Sequence, residues 1–169
     1  VTRAVAVNLA ARRTSVCQMA AAARCAVVPV DMGIAGTPVP GVVDCRVASG
    51  TRDFTESAAM TRAEAVQAVA AGIALVRAQK AQGVQLLATG EMGIGNTTTS
   101  SAVAAVLLDR PAAEMTGRGA GLSDAGLRRK IDAIERGIAV NHPDAADPLG
   151  VLAALGGFDI AGLCGVFLG

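Results

Sequence analysis

Val84-Gln85-Leu86-Leu87-Ala88-Thr89-Gly90-Glu91-Met92-Gly93-Ile94-Gly95-Asn96-Thr97-Thr98-Thr99-Ser100-Ser101 opens onto the apolar run Ala102–Leu108. Val84–Ala88 reads as a short buried strand and the apolar run as a helix, with glycines, a carboxylate and hydroxyls packed between them. That order sets backbone N–H groups and hydroxyls at a helix N-terminus, where the dipole favours an anion such as a phosphate. A loop at the carboxyl end of a strand is also where open α/β sheets bind ligands. The alternative is a glycine-rich turn whose hydroxyls only cap the helix. A Walker loop would need a lysine before the Ser/Thr, and Asn96 stands there. The dinucleotide fingerprint fails too, with Thr98 where its last glycine belongs.

Upstream, Thr61-Arg62-Ala63-Glu64 is a capping box that starts a helix running to about Gln82, with Gly83 as its stop. Cys25–Val30 is a continuous apolar run ending in Asp31 and reads as a buried parallel strand. Residues 3–24 have helical composition, 33–41 form a Pro/Gly loop, and Val42–Val47 suggests another short strand. Downstream, a helix is expected near 97–109, closed by Pro111. Ser123 caps a further helix to about Val140, carrying Arg128, Arg129 and Lys130. Asp147-Pro148 is an N-cap with proline at the first helical position, and Phe158–Leu168 reads as a last helix. Strand–helix–strand alternation implies right-handed crossovers and a parallel sheet. The expected class is α/β, a three-layer Rossmann-like parallel sheet flanked by helices, as one domain over 1–169.

Composition narrows the function. Of 169 residues 52% are hydrophobic, 17% charged and 2% aromatic, with no Trp or Tyr, so the core must be built of Ala, Val, Leu and Ile. A net charge of +1 gives no electrostatic case for nucleic acid, and the scarce aromatics offer no base-stacking platform. Cys17, Cys25, Cys45 and Cys164 form no Cys-x-x-Cys pair and the one histidine is His142, so no zinc site is expected. Reduced, buried thiols are expected instead. No long apolar run is free of charge and no signal-peptide layout is present, so the expectation is a cytoplasmic protein with no membrane partner.

Taken as a whole string, Thr89–Ser100 resembles the signature of the nicotinate-nucleotide–dimethylbenzimidazole phosphoribosyltransferase family, which makes the lower nucleotide of cobalamin. Asp31-Met32-Gly33-Ile34-Ala35-Gly36, Gly50–Glu56 with Ala59–Ala65, Gly117-Arg118-Gly119-Ala120-Gly121-Leu122 with Lys130, and Gly156–Ala161 are similar to further blocks in the same order. The resemblance implies displacement of nicotinate from nicotinate mononucleotide by dimethylbenzimidazole, giving α-ribazole 5′-phosphate, with no metal or cofactor. It implies substrate binding by Gly93, Ile94, Gly95, Asn96, Thr97 and Thr98, and by Lys130 as the phosphate's cation; Gly119 and Gly121 either let a ligand approach the backbone closely or simply form a turn. Read from its neighbours alone, Lys130 is a solvated helix lysine. Glu91 is the candidate catalytic carboxylate, facing the ribose or the developing charge; a structural carboxylate for the glycine turn is the alternative. Asp31 either binds ribose or ties down the Gly33–Gly36 turn. Arg52 and Asp53 are expected to make only a surface pair. The family's general base is a glutamate in a Gly-Glu-Gly-Ser-Gly-Ala-like turn, and this sequence contains no such turn. The sequence is therefore expected to be a central part of such an enzyme, without its N-terminal and C-terminal segments, and to form a homodimer.

Overall fold

The helix expected over residues 3–24 is two helices, α1 (Thr2–Ala10) and α2 (Ser15–Ala22). Arg12 takes left-handed backbone at φ 59 and Thr14 is extended, so the chain turns between them. The computed structural model describes residues 1–169, and these fall into two compact units, Val1–Gly50 and Thr51–Gly169.

The first unit contains α1, α2 and a parallel pair, β1 (Val30–Asp31) with β2 (Val43–Asp44), in register Val30 to Val43. Both strands are shorter than the apolar runs Cys25–Val30 and Val42–Val47 suggest. Asp31 bends the chain just after β1: its buried Oδ1 accepts from the N–H groups of Gly33 at 2.9 Å and Ile34 at 2.7 Å. Arg46 grips Asp44 through two bonds of 2.8 Å, and hydrogen bonding to Arg46 pulls the Asp44 carboxyl down to about 2.

The second unit is helical: α3 (Arg62–Ala81), α4 (Asn96–Leu107), α5 (Ala112–Met115), α6 (Asp124–Asn141), α7 (Pro148–Leu155) and α8 (Phe158–Leu168). Local capping chemistry decides where these helices start. Thr61 Oγ1 accepts from the Glu64 N–H at 3.1 Å while the Glu64 carboxylate accepts from the Thr61 N–H at 2.6 Å. Arg52 joins this box, bonding Glu64 rather than Asp53 at 2.9 Å; it and the Thr61 N–H hold Glu64 down to about 2. Asp53 instead accepts from Thr55, its nearer donor, so the expected Arg52–Asp53 pair does not form. Ser123 caps α6 and Asp147 caps α7, each accepting the N–H three residues on.

Small residues set the packing. A Cβ on Gly72 of α3 would lie 2.0 Å from the Gly162 carbonyl oxygen of α8, and one on Gly165 would lie 2.0 Å from the Val69 carbonyl oxygen. The two helices therefore meet backbone to backbone along a glycine seam. Ala102, Ala112, Ile134, Ala154 and Leu155 form the core, with Phe54 laid over Gly137 where no side chain would fit. Of the cysteines, Cys17 alone is buried; Cys45 is half-buried, while Cys25 and Cys164 are exposed, and all are free. Cys164 lies off the α8 face that buries Ala161, Gly162 and Gly165, which explains why the expectation of buried thiols fails there.

The expected strand at Val84–Ala88 is absent. The segment is exposed, Leu86 to 91%, and has no neighbouring strand to accept its ladder bonds. An apolar run specifies strand propensity, but a strand exists only through its partner. The architecture is thus a helix-rich α/β fold whose parallel sheet comprises β1 and β2. No helix is long and apolar enough to cross a membrane.

Candidate functional site

The site is built where α4 begins. Gly95 occupies the N-cap in left-handed backbone, φ 84, a conformation that glycine takes without a Cβ clash. No side chain caps the helix. The Thr98 N–H turns back to the Gly95 carbonyl at 3.3 Å, while the N–H groups of Asn96 and Thr97 have no acceptor within the chain. These are the orphan donors of a helix start, carrying the positive end of the dipole. The threonines' own hydroxyls do not fill the gap. Thr99 Oγ1 donates to the Asn96 carbonyl at 2.9 Å, and Thr97 Oγ1 is taken by Lys130.

Lys130 is the residue whose neighbours mislead. Arg128 and Arg129 are exposed, but Lys130 is 8% exposed. It shares the buried face of α6 with Gly126, Ile134 and Gly137, a helical spacing that is visible in the sequence. Its Nζ donates to Thr97 Oγ1 at 2.9 Å and to the Gly117 carbonyl at 3.1 Å. Lys130 takes part in no ion pair. Burial pushes its pKa down, the signature of a cation held away from water without an anion. Gly119, at φ +54, closes the other side: a Cβ there would lie 3.1 Å from Thr97 Oγ1 and 3.8 Å from Lys130 Nζ. Arg118 braces this loop through the Leu122 carbonyl at 2.9 Å and Asp124 at 2.5 Å.

The sequence-derived residues are thus gathered unequally. Gly95, Asn96, Thr97, Gly119 and Lys130 surround one small region. Glu91, Gly93 and Ile94 lie exposed on the approach to it. The Glu91 carboxylate accepts from the Gly93 N–H, so that donor is engaged within the loop. Thr98 makes no side-chain bond. Asp31 belongs to the other unit and ties its own turn, its second oxygen lying 3.8 Å from Arg46 Nε without a hydrogen bond.

A phosphoribosyltransferase family model matches residues 1–169. The chain belongs to the nicotinate-nucleotide–dimethylbenzimidazole phosphoribosyltransferase family. The family's enzyme from Roseiflexus castenholzii is 54% identical over 146 residues, covering 85% of this chain and 41% of that protein. Its counterpart in Ruminiclostridium cellulolyticum is 46% identical over 170 residues, covering 100% of this chain and 48% of that one. The crystal structure of CobT from Thermus thermophilus superposes with a TM-score of 0.91 at 40% identity, over 99% of this chain and 50% of that chain. The chain spans about half the length of the family members it matches.

Sequence reasoning overlooked two participants. The Gly117 carbonyl, which fixes the lysine, carries no side-chain signal. Asp159, in the first turn of α8, accepts from Asn96 Nδ2 at 2.7 Å across the fold. An acidic residue directly after Gly156-Gly157-Phe158 was a legible sign of a helix start, but nothing in the sequence pairs it with Asn96.

Proposed function

We propose that this chain carries the nucleotide-phosphate side of an active site for phosphoribosyl transfer from nicotinate mononucleotide to 5,6-dimethylbenzimidazole. The bond from the anomeric carbon to the nicotinate nitrogen breaks, and one to a benzimidazole nitrogen forms. Nicotinate leaves and the benzimidazole loses a proton, giving α-ribazole 5′-phosphate for cobalamin. The observation that carries this reading is Lys130: a buried ammonium without a counter-ion, converging with the uncapped α4 N-terminus on Thr97. A buried unpaired charge is costly, and a phosphate would supply the missing partner. Family membership supports taking that phosphate to be the one on nicotinate mononucleotide.

In this reading the Asn96 and Thr97 N–H groups and Lys130 Nζ hold the 5′-phosphate, and Gly119 leaves room for it. Fixing the phosphate places the ribose for attack, so positioning supplies much of the acceleration. The pyridinium is already a good leaving group. Glu91 stands at the mouth, where its carboxylate offsets positive charge developing at the anomeric carbon. Its exposure and its bond to Gly93 favour, as a second reading, a chain that binds nucleotide with little turnover. We assign Val84–Ala88 to a larger Rossmann-like parallel sheet, supported by its exposed Val84, Leu86 and Leu87. Exposed Phe167 and Leu168 support a homodimer, and the free thiols support the reducing cytoplasm.

Lys130→Met keeps the stem and removes the charge. It is expected to weaken nicotinate mononucleotide binding by about 1.5–3 kcal/mol, the value of a charged hydrogen bond, measured by calorimetric titration. A bound phosphate favours the ammonium, so affinity is full below the lysine's lowered pKa and falls as pH climbs past it. Unchanged affinity in Lys130→Met would remove the lysine from the site.

A further inference from the structure

We propose that Asp159 is a positioning residue that holds the mouth of α4 open for the phosphate; this rests on the phosphate reading above. Asn96 is the first residue of α4 and supplies one of its two orphan N–H groups. Its side chain is occupied at both ends. Nδ2 donates to Asp159 Oδ2 at 2.7 Å, and Oδ1 accepts from Ser100 Oγ at 3.1 Å. A carboxylate only accepts, so Asp159 fixes which way the amide points.

That orientation matters because asparagine competes for backbone donors. Left free at a helix start, its Oδ1 folds onto nearby N–H groups. The donors meant for an anion would then be consumed from within. Asp159 prevents this by holding the amide away from the mouth. It is itself well anchored. It sits in the first turn of α8, where a carboxylate is favoured by the dipole, and Gly157 makes space for it, since a Cβ there would lie 2.2 Å from Oδ1. The glycine seam locks α8 against α3, so the tether ties the loop to a rigid helix rather than to another loop. Asp159 acts through Asn96 and not on the substrate.

Calorimetric titration of nicotinate mononucleotide into the wild-type chain, Asp159→Ala, Asp159→Asn and Asn96→Ala separates the possibilities. Asp159→Ala is expected to bind about tenfold more weakly, of the order of one hydrogen bond's worth of organisation. Asp159→Asn, which still presents a carbonyl oxygen to Asn96 Nδ2, is expected to restore binding to within about threefold of wild type. Asn96→Ala removes the amide through which Asp159 acts, and its affinity, whatever it is, serves as the reference for the double variant. The double variant Asn96→Ala/Asp159→Ala should then bind like Asn96→Ala, cancelling the Asp159→Ala defect. Wild-type affinity in Asp159→Ala would overturn the proposal. So would an Asp159→Asn variant as weak as Asp159→Ala, or a double variant about tenfold weaker than Asn96→Ala. If Asp159→Ala does not fold, Asp159→Ser, whose shorter side chain does not reach Asn96 Nδ2, takes its place in the cycle, with the same loss of about tenfold expected and the same results overturning the proposal. Absence of binding by the wild-type chain sinks the phosphate reading itself, and the positioning role with it.

Discussion

Gly72→Leu is expected to cost this chain roughly 3 kcal/mol or more, because the α3–α8 crossing has no room for a side chain. Helix propensity alone predicts the opposite sign: leucine is better than glycine in a helix interior by somewhat under about 1 kcal/mol. Packing wins because the obstruction is backbone. A Cβ on Gly72 would meet the Gly162 carbonyl oxygen at 2.0 Å and the Val166 nitrogen at 2.9 Å, and neither can swing aside as a side chain would. The helices must separate, exposing the seam along its length. Against a typical stability of about 5–15 kcal/mol the loss is large. Thermal unfolding followed by circular dichroism checks it, with Gly90→Ala as the control. Gly90 has nothing within 4 Å and ordinary backbone, so its replacement should leave the midpoint unchanged. A Gly72→Leu chain as stable as wild type would mean the helices are not in backbone contact.

A second large effect is expected in turnover. Mixed with nicotinate mononucleotide and dimethylbenzimidazole, residues 1–169 should exchange the base about 10²–10⁴-fold more slowly than a full-length family member, the usual value of general-base assistance. In the proposed reading Lys130 and the α4 N-terminus hold the phosphate, but holding it does not remove a proton from benzimidazole. Glu91 is exposed, and its carboxylate already accepts from the Gly93 N–H within its own loop. Equal turnover would show that Glu91, or another group within this chain, takes the proton. Chromatographic detection of α-ribazole 5′-phosphate against time distinguishes the two outcomes.

What was legible in the sequence was chemistry between near neighbours. The Thr61–Glu64 box, the Ser123 cap and the Asp147-Pro148 start each depend on a few consecutive residues, and each stands as read. The glycine loop and its following helix were legible for the same reason. The break at Arg12 was not, because alanine-rich sequence supports a helix throughout and only a left-handed residue interrupts it. Val84–Ala88 carried the pattern of a buried strand, yet pairing is a property of two segments and one segment cannot announce it. Lys130 sat in a basic cluster that suggested solvent. The counter-signal was its four-residue spacing from Gly126 and Ile134, which puts it on the inner face of α6. Asp159 needed the fold itself, since 63 residues separate it from Asn96.

The most direct measurement is a crystal structure of this chain with nicotinate mononucleotide. Phosphate oxygens are expected within about 3 Å of the Asn96 or Thr97 nitrogen and of Lys130 Nζ, the span of a hydrogen bond. A phosphate lying more than ~6 Å from every N–H of the Glu91–Thr98 loop, beyond any direct hydrogen bond, would contradict the assignment of this helix start as the nucleotide site.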